Sequence, residues 1–276
     1  MMSTYWVLDD KTRQVWQLDR QGNVLKVFAG AGEGPGELGM GITSFSREDD
    51  FLQVVHTAGN RIEKFDLKGN LLKTERVPPG TPLLFARFGH RFLKSAQPGR
   101  ILWQVDGTEH QVILLGHEDD LFQSQSYSFT PLENLLLVAT NQSHLNLIHY
   151  AILDLATEAV KHQGEIDTIL QLEPSDYPEL PPGMMFNPTT LGGATACRDH
   201  GFVLTELSLK EHKSPTRGLY QAIHIIDPVT GKVAHHKMYC AKVGTYLTVY
   251  QHLSGDDWVG LNEAEGQVQF LRVELK

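Results

Sequence analysis

The first quarter of the chain contains an internal repeat. Residues 6–26 read WVLDDKTRQVWQLDRQGNVLK and residues 52–73 read LQVVHTAGNRIEKFDLKGNLLK, so that Asp19 corresponds to Asp66 and Gly22 to Gly69 at a spacing of 47 residues. A repeat of this length that is made of short strands is typical of β-propellers, in which each repeat forms one blade. Because one blade cannot bury its two faces alone, we expect further blades along the chain.

An acidic residue that closes a strand and opens a turn marks the repeat further on. Such a side chain accepts hydrogen bonds from backbone amides, and a following glycine supplies a positive φ angle. Asp19, Asp66, Asp154, Asp227 and Glu274 follow one another at spacings of 47, 88, 73 and 47 residues. Spacings of 47 are interpreted as one blade, 88 as two, and 73 as one blade with an insertion. The pattern therefore predicts six blades.

The predicted fold is all-β: one domain over residues 1–276, forming a six-bladed β-propeller of four-stranded antiparallel blades. In the second blade, strands are expected to begin at Ile42, Phe51, Arg61 and Asn70. The chain begins on a second strand and ends on a third, so the terminal blades are expected to be three-stranded. A five-bladed or imperfectly closed ring is the alternative. The blades are placed at about 4–28, 42–77, 83–122, 126–165, 191–240 and 244–276, with a long loop at 166–190.

Net charge and composition limit the classes of binding partner that we expect for this chain. The chain of 276 residues carries a formal net charge of -9, so a broad basic surface is not expected and nucleic acid and anionic membranes are disfavoured as partners. The two cysteines, Cys197 and Cys240, have no metal-ligand spacing and are too few for a disulfide framework. Without an apolar leader or membrane segment, a cytoplasmic location is expected, and a removed export signal would reverse that expectation.

Two segments resemble NHL-type propeller repeats. These are TAGNRIEKFDLKGNLLKTE at 57–75 and the loop FAGAGEGPGEL at 28–38. The resemblance extends over about residues 5–77 and fades beyond them. It implies a six-bladed ring that is used for recognition. It implies no activity, because NHL-like rings include protein and RNA binders as well as lyases and lactonase-type hydrolases.

A ring of polar residues is predicted at the ends of the second strands, near the mouth of the propeller channel. Carboxylates, amides and a histidine that converge there are suited to ligating a divalent cation or to orienting a polar ligand. Local hydrogen bonding within hairpin turns is the alternative explanation. His56 stands out, since a turn has no special need of an imidazole. The six predicted residues are Asp9, His56, Asp106, Asn141, Glu206 and Asn262.

Two loops are expected on the same face. The segment 166–190 is interpreted as a lid or recognition loop, with Tyr177 and Phe186 offering aromatic contacts, or as a plug over the channel. The run GAGEGPGELG at 30–39 lacks the GK[ST] ending of a phosphate-binding loop and joins no strand to a helix. A nucleotide site is therefore not predicted there.

The predicted function is a non-catalytic recognition propeller that binds a peptide, a protein or a small polar ligand at the channel-mouth face. No catalytic residue, metal ligand or cofactor is assigned. Of the thirteen histidines, His224 is placed on a third strand away from the channel, and His235 on an outer, solvent-facing strand. The alternative is a metal-dependent hydrolase or lyase, in which Ca²⁺ or Zn²⁺ in the channel polarises a substrate oxygen or acidifies a bound water.

Overall fold

A computed structural model of the chain describes most of its strands and turns. It covers residues 4–48, 50–56, 60–77, 82–95, 97, 99–105, 108–114, 127–142, 147–168, 189–197, 201–210, 218–240, 247–254, 257–262 and 267–272. Within these ranges only the backbone is described for residues 108–112, 114, 141–142, 189–193, 197, 207–210, 218–221, 236–240 and those from 247 onward. The chain divides into two compact units, Met1–Leu114 and Leu115–Lys276.

The described strands of the first unit form three antiparallel sheets, β1-β2-β3, β4-β5-β6-β7 and β8-β9-β10-β11. Each strand pairs with the next in sequence, so each sheet is a simple meander. The strands are β1 (Tyr5–Asp9), β2 (Gln14–Leu18), β3 (Val24–Phe28), β4 (Ile42–Arg47), β5 (Phe51–His56), β6 (Arg61–Asp66), β7 (Leu71–Arg76), β8 (Leu83–Arg87), β9 (His90–Lys94), β10 (Arg100–Val105) and β11 (Thr108–Leu114).

The described strands of the second unit form three further meanders, β12-β13-β14-β15, β16-β17-β18-β19 and β20-β21-β22. Eight of these eleven strands have 8–10 residues and are longer than any described strand of the first unit. The eleven strands are β12 (Tyr127–Leu132), β13 (Leu135–Gln142), β14 (Leu147–Asp154), β15 (Ala159–Asp167), β16 (Thr189–Cys197), β17 (Gly201–Lys210), β18 (Gly218–Ile226), β19 (Val233–Cys240), β20 (Leu247–Ser254), β21 (Asp257–Asn262) and β22 (Gln267–Arg272).

The burial of a strand depends on whether it lies in the middle or at the edge of its sheet. β5 is buried at five of its six positions and β14 at seven of its eight, whereas β7 and β15 are mostly exposed. A middle strand that is buried on both faces must lie between neighbouring layers, which is how blades pack against one another. The protein is therefore an all-β propeller made of four-stranded antiparallel blades.

Apolar side chains fill the spaces between successive sheets. In the first unit, Val15, Leu52 and Phe65 belong to a cluster between the first two sheets, and Val55, Ile62 and Leu83 to a cluster between the second and third. In the second unit, Leu137, Ile152, Phe202 and Ile226 belong to one cluster. These clusters supply the apolar burial that a single sheet could not achieve alone.

The acidic turns at Asp19, Asp66, Asp154 and Asp227 form as the repeat predicts, while Glu274 lies outside the described residues. Asp19 accepts hydrogen bonds from the backbone amides of Gln21 at 2.9 Å and Asn23 at 2.8 Å, and from the Asn23 side chain at 2.8 Å. Asp66 repeats the arrangement with Lys68 and Asn70, all three distances being 2.8 Å. The bond from the asparagine side chain is the main reason why the pKa values of both aspartates are lowered.

The predicted number of blades needs correction. The repeat aligns β1, β2 and β3 with β5, β6 and β7, so the N-terminal sheet has no counterpart of β4. In this alignment β1 is a second strand, so the N-terminal sheet lacks a first strand. Among the described strands, the first strands of blades are β4, β8, β12, β16 and β20. The structure therefore has five blades with a first strand, and the prediction of six was wrong. The prediction of six blades counted the acidic turns that come after third strands. A sheet can contain such a turn even when it lacks a first strand. The sheets at both ends of the chain are three-stranded, as expected.

Candidate functional site

Asp9, the first member of the predicted ring, is engaged in its own turn. Its carboxylate accepts hydrogen bonds from the backbone amides of Lys11 at 2.9 Å and Thr12 at 3.2 Å, and from the Thr12 hydroxyl at 2.6 Å. The hydroxyl bond is the main cause of the lowered pKa of Asp9. The local turn explanation therefore accounts for this side chain without a ligand.

His56 is buried where a ring residue was expected to face a ligand. It ends β5 opposite Arg61 on β6, its side chain is 0% exposed, and within the described part of the chain neither ring nitrogen has a hydrogen bond of normal geometry. Burial, aided by the positive charge of Arg61, lowers the pKa of His56 to about 4. The imidazole is therefore neutral at pH 7.

Arg61 joins this hairpin to the glycine-rich run 30–39. Its guanidinium donates to the backbone carbonyls of Glu33 at 2.9 Å and Glu37 at 2.8 Å. The Glu37 carboxylate in turn accepts from the Gly34 amide at 2.8 Å. Arg61 is 6% exposed, and its Nε lies 3.4 Å from the carboxylate of the fully buried Glu63. The run is thus a folded loop that a buried arginine fixes.

The other members of the predicted ring are only partly accessible to test. Asp106, Tyr177 and Phe186 lie outside the described residues. Asn141 lies in β13 and Asn262 at the end of β21, where only the backbone is described. The convergence of the six side chains and the role of the 166–190 loop therefore stay predictions.

Glu206 is the ring member with the most informative surroundings. It is 0% exposed on β17, and its carboxylate lies 2.9 Å from Nε2 of His224 on β18. Nδ1 of His224 lies 2.9 Å from Nδ1 of His235 on β19, with the two rings edge-on at 84°. The sequence placed the two histidines on a third and an outer strand, but it gave no sign that they meet.

A cleft between the second and third sheets of the first unit was missed by sequence reasoning. Its volume is about 400 Å³, within the range of small-ligand sites. We call it the basic cleft, because its lining combines four cationic side chains with one carboxylate. It is lined by Gln53, Ile62, Lys64, Lys73, Glu75, Ala86, Arg87, Gly89, His90 and Arg91.

Glu75 is the electrostatic centre of the basic cleft. Lys64 and Lys73 face each other across β6 and β7, and their ammonium groups lie 3.0 and 3.2 Å from the same Glu75 oxygen. Arg91 on β9 reaches the other oxygen at 3.0 Å. Burial alone would raise the pKa of Glu75, but the bonds donated by Lys64, Lys73 and Arg91 outweigh it and lower the pKa to about 2.

His90 lines the cleft as a neutral side chain. The indole N–H of the buried Trp103 donates to His90 Nδ1 at 3.0 Å. Because an indole nitrogen can only donate, Nδ1 must carry a lone pair, and the ring proton of His90 resides on Nε2. With His90 neutral, the three cations that share Glu75, namely Lys64, Lys73 and Arg91, outnumber it by two charges in a chain whose formal net charge is -9.

The cleft left a weak signal in the sequence. Lys73 and Glu75 alternate along β7 and so share a face, with Lys64 opposite Lys73. Arg87 and Arg91 belong to the next sheet, and only the packing of the two sheets brings them to the same place.

Within the described residues no group of three His, Cys, Asp or Glu side chains is placed to hold a metal ion. The described part of the chain also contains no helix that is long and apolar enough to cross a membrane.

Comparisons with known proteins support the fold class. No family model matches the chain, and no curated protein matches it. A member of the DUF4221 family from Bacteroides vulgatus is similar, with a TM-score of 0.55 and 10% identity over 98% of this chain and 90% of that one. A putative exported protein from Bacteroides fragilis gives a TM-score of 0.53 and 13% identity over 94% and 77%. BamB from Moraxella catarrhalis gives 0.42 and 12% over 98% and 81%.

At such low identity the likeness to the two Bacteroides proteins shows the fold alone. The protein is a β-propeller. Its resemblance to NHL-type repeats is not confirmed, since no family model matches the chain.

Proposed function

We propose that the protein is a non-catalytic recognition propeller that binds a small polar ligand in the basic cleft, through a carboxylate or phosphate group of that ligand. The observation that carries the proposal is the surplus of cationic side chains around a cleft of about 400 Å³. The resemblance of residues 5–77 to NHL-type repeats, which most often serve recognition, supports it as well.

The charge balance of the cleft favours an anionic ligand. Like charges placed opposite each other on neighbouring strands destabilise a sheet, and Glu75 offsets this for Lys64 and Lys73. One carboxylate cannot neutralise the three cations that share it, so an incoming anion gains attraction from the remaining positive charge. Arg91 also presents a planar guanidinium, which suits the oxygens of carboxylate and phosphate groups.

Several residues that line the cleft are held by hydrogen bonds and ring packing. Gln53 on β5 donates to the backbone carbonyl of Ala86 at 2.5 Å, and this bond joins the two sheets at the cleft. The hydrogen bond from the Trp103 indole holds the His90 ring in its orientation. Phe92 stacks on Trp103 with 5.8 Å between the ring centroids. A rigid site loses little conformational entropy when a ligand binds.

Titration calorimetry with phosphate and with citrate, at constant ionic strength, tests the proposal. Lys73 is the best position to alter, because its side chain is 66% exposed and its loss spares the core. We expect Lys73→Gln to weaken anion binding by about tenfold, the order expected for one lost charge-assisted hydrogen bond. Lys68→Gln is the matched control, since Lys68 is exposed in the turn that joins β6 to β7 and does not line the cleft.

The variant Glu75→Gln tests the proposal in the opposite direction, because it is expected to strengthen anion binding. Removing the internal carboxylate leaves Lys64, Lys73 and Arg91 without their shared partner, so anions should bind more tightly to this variant than to the wild type. Equal affinities for the wild type, Lys73→Gln and Lys68→Gln, or no binding at all by the wild type, would refute the proposal.

Other features of the function stay as predicted from the sequence. A peptide or protein remains a candidate partner through an acidic side chain or a C-terminal carboxylate, while nucleic acid and membranes stay disfavoured by the net charge of -9. The alternative of a metal-dependent hydrolase or lyase depends on the ring of six residues, which the described residues do not test. The cytoplasmic location also stays a prediction; the Bacteroides fragilis protein of similar fold is described as exported.

A further inference from the structure

The three cations that share Glu75 meet around a group of carboxylate size. The ammonium groups of Lys64 and Lys73 lie 3.0 and 3.2 Å from one Glu75 oxygen, and the Arg91 guanidinium lies 3.0 Å from the other. The ammonium group of Lys64 also lies 5.2 Å from the ring centroid of Phe51. Three cationic side chains from β6, β7 and β9 are therefore gathered at one point of the basic cleft.

These cations lie nearer to solvent than the carboxylate that they share. The Glu75 side chain is 15% exposed, whereas Lys64 and Arg91 are each 24% exposed and Lys73 is 66% exposed. An ammonium group has three N–H donors and a guanidinium has five, so each cation has more donors than its contact with Glu75 uses. A second anion can therefore contact the three cations from the solvent side while Glu75 stays in place.

We propose, building on the function proposed above, that the basic cleft recognises the dianionic phosphate group of a small phosphate monoester. Lys64, Lys73 and Arg91 outnumber Glu75 by two positive charges. A ligand group with two negative charges balances this surplus, whereas a single carboxylate balances only half of it. Both charges belong on one group, because the three cations meet around one carboxylate.

The geometry favours a phosphate group over a dicarboxylate. A dicarboxylate carries its two charges on separate carbon atoms, whereas a phosphate monoester presents three acceptor oxygens on one phosphorus atom, one for each cation. The planar guanidinium of Arg91 suits two of these oxygens, and the two ammonium groups act as point charges.

The size and lining of the cleft favour an ester over free phosphate. A free phosphate ion would fill only a small part of a volume of about 400 Å³. Ile62 and Ala86 give the cleft apolar lining beside its cations. The organic part of a monoester can contact this lining, and inorganic phosphate cannot.

Calorimetric titrations at a pH of about 8 and constant ionic strength test the proposal, because phosphate monoesters lose their second proton near pH 6. Phenyl phosphate, a dianion, is compared with its monoanionic diester, methyl phenyl phosphate. We expect the monoester to bind the wild type about tenfold more tightly, the order expected for one further charge-assisted hydrogen bond. Phenyl phosphate should also bind more tightly than succinate and than inorganic phosphate.

The variant Lys73→Gln tests whether the charge surplus sets this preference. It lowers the surplus from two charges to one, which halves the electrostatic free energy, so the tenfold preference for monoester over diester should fall to about threefold. Lys68→Gln is the matched control, since Lys68 lies in the turn between β6 and β7 and does not line the cleft. It should keep the wild-type preference.

The possible results separate this proposal from the function on which it builds. If the wild type binds none of these anions, both are wrong. If anions bind and Lys73→Gln weakens their binding, but phenyl phosphate and its diester bind equally well, the anion site stands and the assignment to a phosphate monoester is wrong. Succinate or inorganic phosphate binding as tightly as phenyl phosphate would overturn the same assignment, as would an unchanged preference in Lys73→Gln.

Discussion

The ring of Phe28 lies against the α-carbon of Gly69, where an added β-carbon would come within 2.6 Å of the phenylalanine Cγ. Phe28 ends β3, and Gly69 lies in the turn between β6 and β7 with φ at 78°. The contact therefore joins the outer strand of one sheet to a turn of the next. Lys26, also on β3, donates to the carbonyl of Lys68 in the same turn.

The second unit repeats this relationship with different side chains. An added β-carbon at Gly231 would lie 2.9 Å from the ring of His162 on β15. Nε2 of His162 also lies 2.9 Å from the Val229 carbonyl, in the turn between β18 and β19. Glycine in this turn thus serves two purposes, since it permits the positive φ angle and lets the preceding sheet approach the backbone.

Alanine substitutions at the two repeat-related glycines should separate these purposes. Gly22 has φ at 84° and no atom within 4 Å of an added β-carbon, so Gly22→Ala should cost about 1 kcal/mol of unfolding free energy for backbone strain alone. Gly69→Ala adds the collision with Phe28 and should cost about 2–4 kcal/mol. Urea denaturation of both variants measures the difference. Equal losses would mean that Phe28 moves aside freely.

Tyr150 should stabilise the turn at Gly231 through one hydrogen bond. Its hydroxyl donates to the Gly231 carbonyl at 2.9 Å, and burial raises the pKa of Tyr150. We expect Tyr150→Phe to lower the unfolding free energy by about 1 kcal/mol, as measured by urea denaturation. Val229→Ala, at an 80% exposed position in the same turn, is the control and should change stability by less than about 0.5 kcal/mol. A loss at Tyr150 no larger than in the control would show that water replaces the bond.

His56 should make stability depend on pH. Its pKa is about 4 in the folded protein and near 6.5 when unfolded, so the unfolded chain binds more protons between these values. The contribution is complete above pH 6.5 and is lost as the pH falls toward 4, by about 2–3 kcal/mol in total. His56→Leu should flatten this part of the curve in urea midpoints measured from pH 4 to 7.5. A variant that keeps the wild-type slope would contradict the neutral, buried state of His56.

Arg61 and Glu63 should show strong coupling. Arg61→Met leaves the fully buried Glu63 carboxylate without its nearby cation and frees the 30–39 loop, so we expect a loss of about 3 kcal/mol. Glu63→Gln in the same chain removes the orphaned charge and should restore part of that loss. Urea denaturation of the two single variants and the double variant gives the coupling energy. Strict additivity would indicate that the two side chains do not interact.

The repeat predicted local structure well because it records local interactions. The strands expected from Ile42, Phe51, Arg61 and Asn70 are found at β4 to β7 within one residue of their predicted starts. The turn at Asp66 has the hydrogen bonds that its sequence implies, since donor and acceptor lie within four residues of each other. The blade count was wrong for the same reason, because a turn motif says nothing about whether a first strand precedes it.

The candidate sites were harder to predict because they depend on contacts between residues far apart in sequence. Asp9 was predicted to belong to a ligand ring, and although its carboxylate accepts hydrogen bonds from Lys11 and Thr12, whether the ring converges on a ligand stays a prediction. His56 was singled out because it replaces the aspartate found at the corresponding position of the repeat. The residues next to it in sequence did not predict that it would be fully buried. The basic cleft escaped notice because its four cations are spread over positions 64–91 and two sheets.

The sequence by itself determined the strands, the acidic turns and the propeller class, because periodic apolar residues and turn-forming side chains act over a few neighbouring positions. Only the tertiary structure decided which polar side chains meet. The packing of sheet on sheet brings Glu75 to Arg91, and strand register brings Glu206 to His224 and His224 to His235. Charge and proton placement at such sites depend on burial and on distances between strands, which no local pattern specifies.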